Sequence, residues 1–159
     1  VLPPGREASP QAAGGDAAPQ RIETIMHGHW TLSCRDTLDS QAKKQCSATL
    51  TVTNQQRQVL MRWIIARDEQ GQLVLVLRTP TGVRIKPGVD VKLGNGSIRK
   101  AEYVACDAQR CEALLVMDVH VVREALAAEQ AAATIHTQRG QAVRFDFPVR
   151  GINKVLPAL

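Results

Sequence analysis

The sequence predicts an all-β domain: an antiparallel β-sandwich of about nine short strands with one short α-helix and two disulfides. Three observations predict it. Short runs of alternating apolar and polar residues recur along the chain, separated by clusters of Gly, Asn, Asp and Gln. Only one stretch places its apolar residues at helical spacing. The four cysteines, Cys34, Cys46, Cys106 and Cys111, stand at the ends of strand-like runs that flank polar loops.

Residues 1–20, "VLPPGREASPQAAGGDAAPQ", are rich in Pro, Gly and Ala and hold a single large apolar residue, Leu2. They cannot bury enough surface to offset their ordering entropy, so they read as a disordered leader, or a remnant of expression, ahead of one β-rich domain over residues 21–159. No basic segment followed by an apolar run opens the chain, so a signal peptide is expected to have been removed already. The first strand is "HWTLSC", in which Trp30, Leu32 and Cys34 share a face. After the charged link "RDTLDSQAKKQ" comes "CSATLTVT", whose Cys46, Ala48, Leu50 and Val52 alternate with Ser and Thr. That is the pattern of a strand with one wet face.

"VLMRWIIA" and "LVLVLR" flank the turn "RDEQGQ" and are apolar on both faces, interrupted only by Arg62. A sandwich strand buries one face, so the second face needs a cover. The predicted cover is the helix of residues 118–130, capped by Asp118, with Val119, Val122, Ala125 and Leu126 as its apolar stripe. A second subunit is the alternative cover, so a monomer is favoured over a homodimer. "VDVKL" and "IRKAEYVAC" flank the turn "GNGS", and "CEALLVM" returns after the loop "DAQR". "AATIHT" and "AVRFDFPV" close the list around "QRGQ".

The cysteine spacing decides the compartment. Neither pair has the two-residue gap of a thioredoxin-like redox site. A four-thiolate zinc site would need an unusually wide first pair, and four free buried thiols would suit a cytosolic protein. Facing residues of a hairpin lie within disulfide reach, which favours local bridges Cys34–Cys46 and Cys106–Cys111 among the three connectivities open to four cysteines. Loop entropy would make them worth about 3 and 2 kcal/mol. Bridges of this kind imply an oxidising compartment.

The charge balance is +5, from 20 Lys and Arg against 15 Asp and Glu. The cations are dispersed along strands, and the few aromatics fall in apolar patterns, so no base-stacking platform is expected and specific nucleic-acid binding is not predicted. The longest apolar run, Leu73 to Leu77, is far short of the roughly 18 residues of a membrane span. No nucleophile elbow, phosphate loop or dinucleotide fingerprint occurs, so catalysis and a cofactor are not predicted. His27 and His29 lack a third ligand nearby and read as an exposed pair rather than a metal site. His120 and His136 read as structural or solvent-facing.

In order along the chain, "GHWTLSC", Cys46, "TPTGVRIKPGV", "YVACDAQRCEA" and "FPVRGINKVL" resemble the invasion-associated locus B family of bacterial secreted and periplasmic proteins. The resemblance spans about residues 28 to 156. One departure is Ile152 after Gly151, where the family's closing segment usually has an aromatic. The resemblance implies an exported, disulfide-bonded β domain without defined catalytic residues. Its shared residues look structural: Pro80, Gly82 and Gly88 set turns, Trp30 and Tyr103 fill core positions, and Gly151 belongs to the closing segment. The implied role is a non-enzymatic binding or envelope protein with an unidentified protein or cell-surface partner and a part in host-cell interaction. The alternative is a small periplasmic enzyme or ligand carrier with a pocket between two sheets.

Overall fold

The structure is a computed structural model that describes residues 20–37 and 44–159. The expected leader lies outside the described residues except for Gln20, and so does the middle of the link between Cys34 and Cys46. Ten strands form, one more than the sequence pattern shows: β1 (Gln20–His27), β2 (Trp30–Thr37), β3 (Gln45–Thr53), β4 (Val59–Arg67), β5 (Leu73–Thr79), β6 (Val89–Leu93), β7 (Arg99–Cys106), β8 (Cys111–Val116), β9 (Gln130–His136) and β10 (Ala142–Pro148). Helix α1 (Val119–Ala127) separates β8 from β9, and a short helix α2 (Ile152–Val155) follows β10 and runs into a 3-10 turn, Leu156–Ala158. The strand missed is β1. Its larger apolar side chains, Ile22, Ile25 and Met26, are all substantially exposed, so it has no alternation to find.

The predicted sandwich is corrected. All ten strands belong to one sheet, in the order β1-β2-β3-β4-β5-β8-β7-β6-β9-β10, with every neighbouring pair antiparallel. Strand β7 is what joins the halves. Its Arg99–Ala101 pair with β6, while Glu102–Cys106 pair with β8. The register shifts between Tyr103 and Ala105, and an irregularity of this kind bends and twists a strand. The sheet therefore curls over itself as a half-barrel. A sandwich and a curled sheet present the same alternation along each strand, because both bury one face.

The inner face is filled with side chains. Trp30 and Leu32 from β2, Ala48 and Leu50 from β3, and Met61, Trp63 and Ile65 from β4 share one core with Val89 and Val91 from β6 and Ile135 from β9. The rings of Trp63 and Phe147 meet edge-on, 4.9 Å between centroids at 89°, so β4 touches the strand at the far edge of the sheet. The curl is closed at one end by hydrogen bonds from the β1–β2 turn and the start of β2 to the segment after β10. Trp30 Nε1 donates to the Val149 carbonyl at 3.1 Å, and His29 N donates to the Arg150 carbonyl at 2.9 Å. Two glycines make that approach feasible. Gly28 (φ 62°) and Gly151 (φ 102°) both take left-handed conformations. A Cβ on the first would run into the Arg150 carbonyl, and one on the second into the His27 carbonyl.

Helix α1 forms where its cap predicts, but it ends at Ala127 and turns inward only Ala125 and, in part, Val122 of the expected stripe. The Asp118 carboxylate accepts the His120 and Val121 amides at 3.0 Å each. Val121 and Ala125 are buried, whereas Val119 and Leu126 are 63% and 43% exposed. The helix packs against β6 and α2, so it does not act as the expected cover for β4 and β5. Close packing selects small side chains, which is why Ala125 faces inward and the larger Leu126 does not. The outer faces of β4 and β5 remain partly open, with Ile64 and Val76 half-buried beside each other.

Candidate functional site

A polar arrangement lies under the β7–β8 hairpin, and its local structure follows from the sequence "CDAQRC". Cys106 and Cys111 face each other in register and are disulfide-bonded. Within the loop, Asp107 Oδ1 accepts the Gln109 and Arg110 amides at 2.8 and 2.9 Å. These backbone donors, Gln109 first, hold the Asp107 carboxyl below its usual range. An Asx turn closed by a disulfide fixes where Gln109 and Arg110 stand.

Beside the hairpin, Cys111 pairs in register with Thr79 of β5. Thr79 is the one buried polar residue of the described core, and its hydroxyl donates to the Pro80 carbonyl at 3.2 Å. The Tyr103 hydroxyl lies 3.3 Å from the same oxygen, and either hydroxyl can be the donor. Partial burial raises the Tyr103 pKa above its ordinary value, and the bond to Thr79 opposes that shift.

The third component is a row of charges across the outer face. Arg62 of β4 stands directly opposite Arg78 of β5, and Arg78 stands opposite Glu112 of β8. Arg78 Nε donates to Glu112 Oε2 at 3.0 Å. Arg62 Nε is buried and has no hydrogen-bond partner. These groups line a cleft of about 240 Å³ whose walls include Leu60, Arg62, Arg78, Thr79, Gln109 and Arg110. Its lining contains no carboxylate.

The residues singled out in the sequence therefore fall into separate groups. Pro80 lines this cleft, while Cys111 and Tyr103 reach its Thr79 by strand pairing and hydrogen bonding, and Cys106 is bonded to Cys111. Trp30 and Gly151 meet at the closed end of the curl, as described above. Cys34 and Cys46 face each other between β2 and β3 and form the second disulfide. Gly82 and Gly88 take positive φ, and the Gly82 carbonyl accepts the Gln138 amide at 2.9 Å. A Cβ on Gly88 would meet the Ala101 carbonyl, so β7 passes too close for any other residue. His27 and His29 are split by the β1–β2 turn and share no strand face. His136 Nε2 lies 3.2 Å from Asp90 Oδ2. No group of three potential metal ligands occurs among the described residues.

Sequence reading missed Arg62, Arg78 and Thr79 as members of one site. The available signal was Arg62 itself, the lone charge inside an apolar strand. Its meaning depends on Arg78 lying across from it, and cross-strand register is not written in either strand alone.

The profile of the family described as "Invasion associated locus B (IalB) protein" matches residues 30–159. Among solved structures, the crystal structure of invasion associated protein B from Bartonella henselae is similar, with a TM-score of 0.73 and 17% identity over 86% of this chain and 93% of that one. At that identity the likeness speaks for the fold. No curated protein matches the chain.

Proposed function

The chain belongs to the invasion associated locus B family, and from that premise we propose that it is an exported bacterial protein, periplasmic or secreted, that works by binding rather than by catalysis. The observation that carries the reading is the pairing of all four cysteines as two cross-strand disulfides, an arrangement suited to an oxidising compartment. The neighbour from Bartonella is described as invasion associated, which supports a role at the interface with a host cell.

The filled interior favours recognition at the surface over chemistry in an internal pocket. An enzyme or carrier of the alternative kind would hold its ligand inside the curl. That space is occupied by Trp30, Met61, Trp63 and Phe147. The clefts of the described residues lie instead on the outside, and the cleft beneath the disulfide hairpin has the most defined chemistry.

The test is a capture experiment. The oxidised protein, immobilised, is exposed to solubilised bacterial envelope and to host-cell membranes, with reduced and alkylated protein as the control. Saturable retention of a discrete partner by the oxidised form alone is expected. Equal retention by both forms, or none by either, contradicts a binding role that depends on the folded surface.

A further inference from the structure

We propose that the cleft beneath the Cys106–Cys111 hairpin is an anion-binding site, built to take an oxyanion: a carboxylate, or a phosphate or sulfate group. Like charges placed directly opposite on neighbouring strands repel, yet Arg62 and Arg78 are directly opposite. Glu112 answers only one of them, through Arg78 Nε at 3.0 Å. Arg62 makes no ion pair among the described residues, and its Nε is buried without a partner. Burying part of a guanidinium unpaired is unfavourable unless an acceptor arrives to satisfy it.

The loop above supplies the remaining wall. Arg110 and the Gln109 side chain border the same cleft. The nearest loop carboxylate, Asp107, is turned inward onto the backbone amides of Gln109 and Arg110 and is committed there. Three arginines thus line a cavity of about 240 Å³, and the one carboxylate bound to any of them, Glu112, is paired with Arg78. Guanidinium forks match the paired oxygens of carboxylates, phosphates and sulfates. The volume suits a single such group rather than a large ligand, so the site would anchor one anionic group of a larger partner. The disulfide and the Asx turn fix the backbone from which Arg110 projects, which lowers the ordering cost of binding.

This deepens the binding role proposed above by giving its recognition chemistry. The test uses small probes, so its failure leaves the export reading standing, while failure of the capture experiment leaves the site standing. Arginine Nε–Hε signals of the full chain are followed by NMR during separate titrations with acetate, inorganic phosphate and sulfate, against sodium chloride at matched ionic strength. The Arg62 and Arg110 signals are expected to shift saturably with at least one oxyanion. In Arg62→Met, the Arg110 response should weaken by about tenfold or more, the loss expected when a charge-assisted hydrogen bond is removed. If Arg62→Met does not fold, Arg110→Met in the exposed hairpin loop carries the same expectation, read on Arg62. Saturation by acetate assigns the site to a carboxylate, and saturation by phosphate or sulfate to a phosphoryl or sulfate group. Shifts that rise without saturation and equally in chloride would overturn the proposal. So would an affinity unchanged in the variant.

Discussion

At the scale of single residues, the closest constraints lie where the β1–β2 turn meets the chain after β10. Gly28 and Gly151 each hold a positive φ and each would drive a Cβ into the other segment's backbone. Gly71 has a similar φ (83°) but open space around it, so it separates conformational strain from steric contact. Gly151→Ala is expected to lower stability by well over the ~1 kcal/mol typical of an incompatible φ alone, and clearly more than Gly71→Ala. Denaturant melts of the two variants check this, and equal losses would mean the close approach carries no energy. Gly151 was singled out in the closing segment "FPVRGINKVL". Gly28 was not, although it opens the resembling segment "GHWTLSC", since a glycine between "MH" and "HW" looks like any turn until Arg150 is seen beside it.

Among the elements, helix α1 shows what a sequence pattern does and does not fix. Its start was legible from Asp118, whose side chain caps the first turn. Its buried face was not. Of the stripe Val119–Val122–Ala125–Leu126, Ala125 is buried and Val122 packs against the core, while packing against β6 and α2 took Val121 inward in place of Val119 and Leu126. Val121→Ala should therefore cost about 2 kcal/mol, the order expected for a fully buried valine, and Leu126→Ala less than half of that. Thermal or urea melts decide it, and a larger loss at Leu126 would restore the stripe first predicted.

The same helix is tied to β7 by a bidentate pair. Arg99 Nη2 donates to Glu124 Oε2 at 2.8 Å, and Arg99 Nε donates to Glu124 Oε1 at 3.2 Å. The hydrogen bond from Arg99 is the main cause that holds the Glu124 carboxyl below its ordinary value. A carboxyl depressed on folding stabilises the native state above its unfolded pKa, near 4.3, and that contribution fades as pH falls through the folded value. The Asp118 carboxyl is depressed as well, first by the Val121 amide, and acts in the same direction. Melting temperature should decline on acidification below about pH 4, and Glu124→Gln should flatten that decline. An identical acid profile in the variant would show that the pair is not linked to folding.

For the whole molecule, the β content, the antiparallel pairing and the hairpins around "GNGS", "DAQR" and "QRGQ" were readable from alternation and turn residues. The architecture was not. It depends on β7 changing partners midway, from β6 at Ala101 to β8 at Glu102, which no periodicity records. The candidate site was half legible. The disulfide hairpin, Tyr103 and Pro80 stood out by type, whereas the arginine row exists only once β4, β5 and β8 are aligned.

Curling also explains why the bridges matter. One links β2 to β3 and the other closes the β7–β8 hairpin, so each fixes a register by which neighbouring side chains are placed. The central claim is a curled sheet held by two cross-strand disulfides formed outside the reducing cytoplasm. The most direct measurement is non-reducing peptide mapping of the protein recovered separately from cytoplasmic, periplasmic and secreted fractions of its own cells. The account predicts protein in the exported fractions carrying only Cys34–Cys46 and Cys106–Cys111. Crossed bridges, or a cytoplasmic pool with four free thiols as the main form, would contradict it.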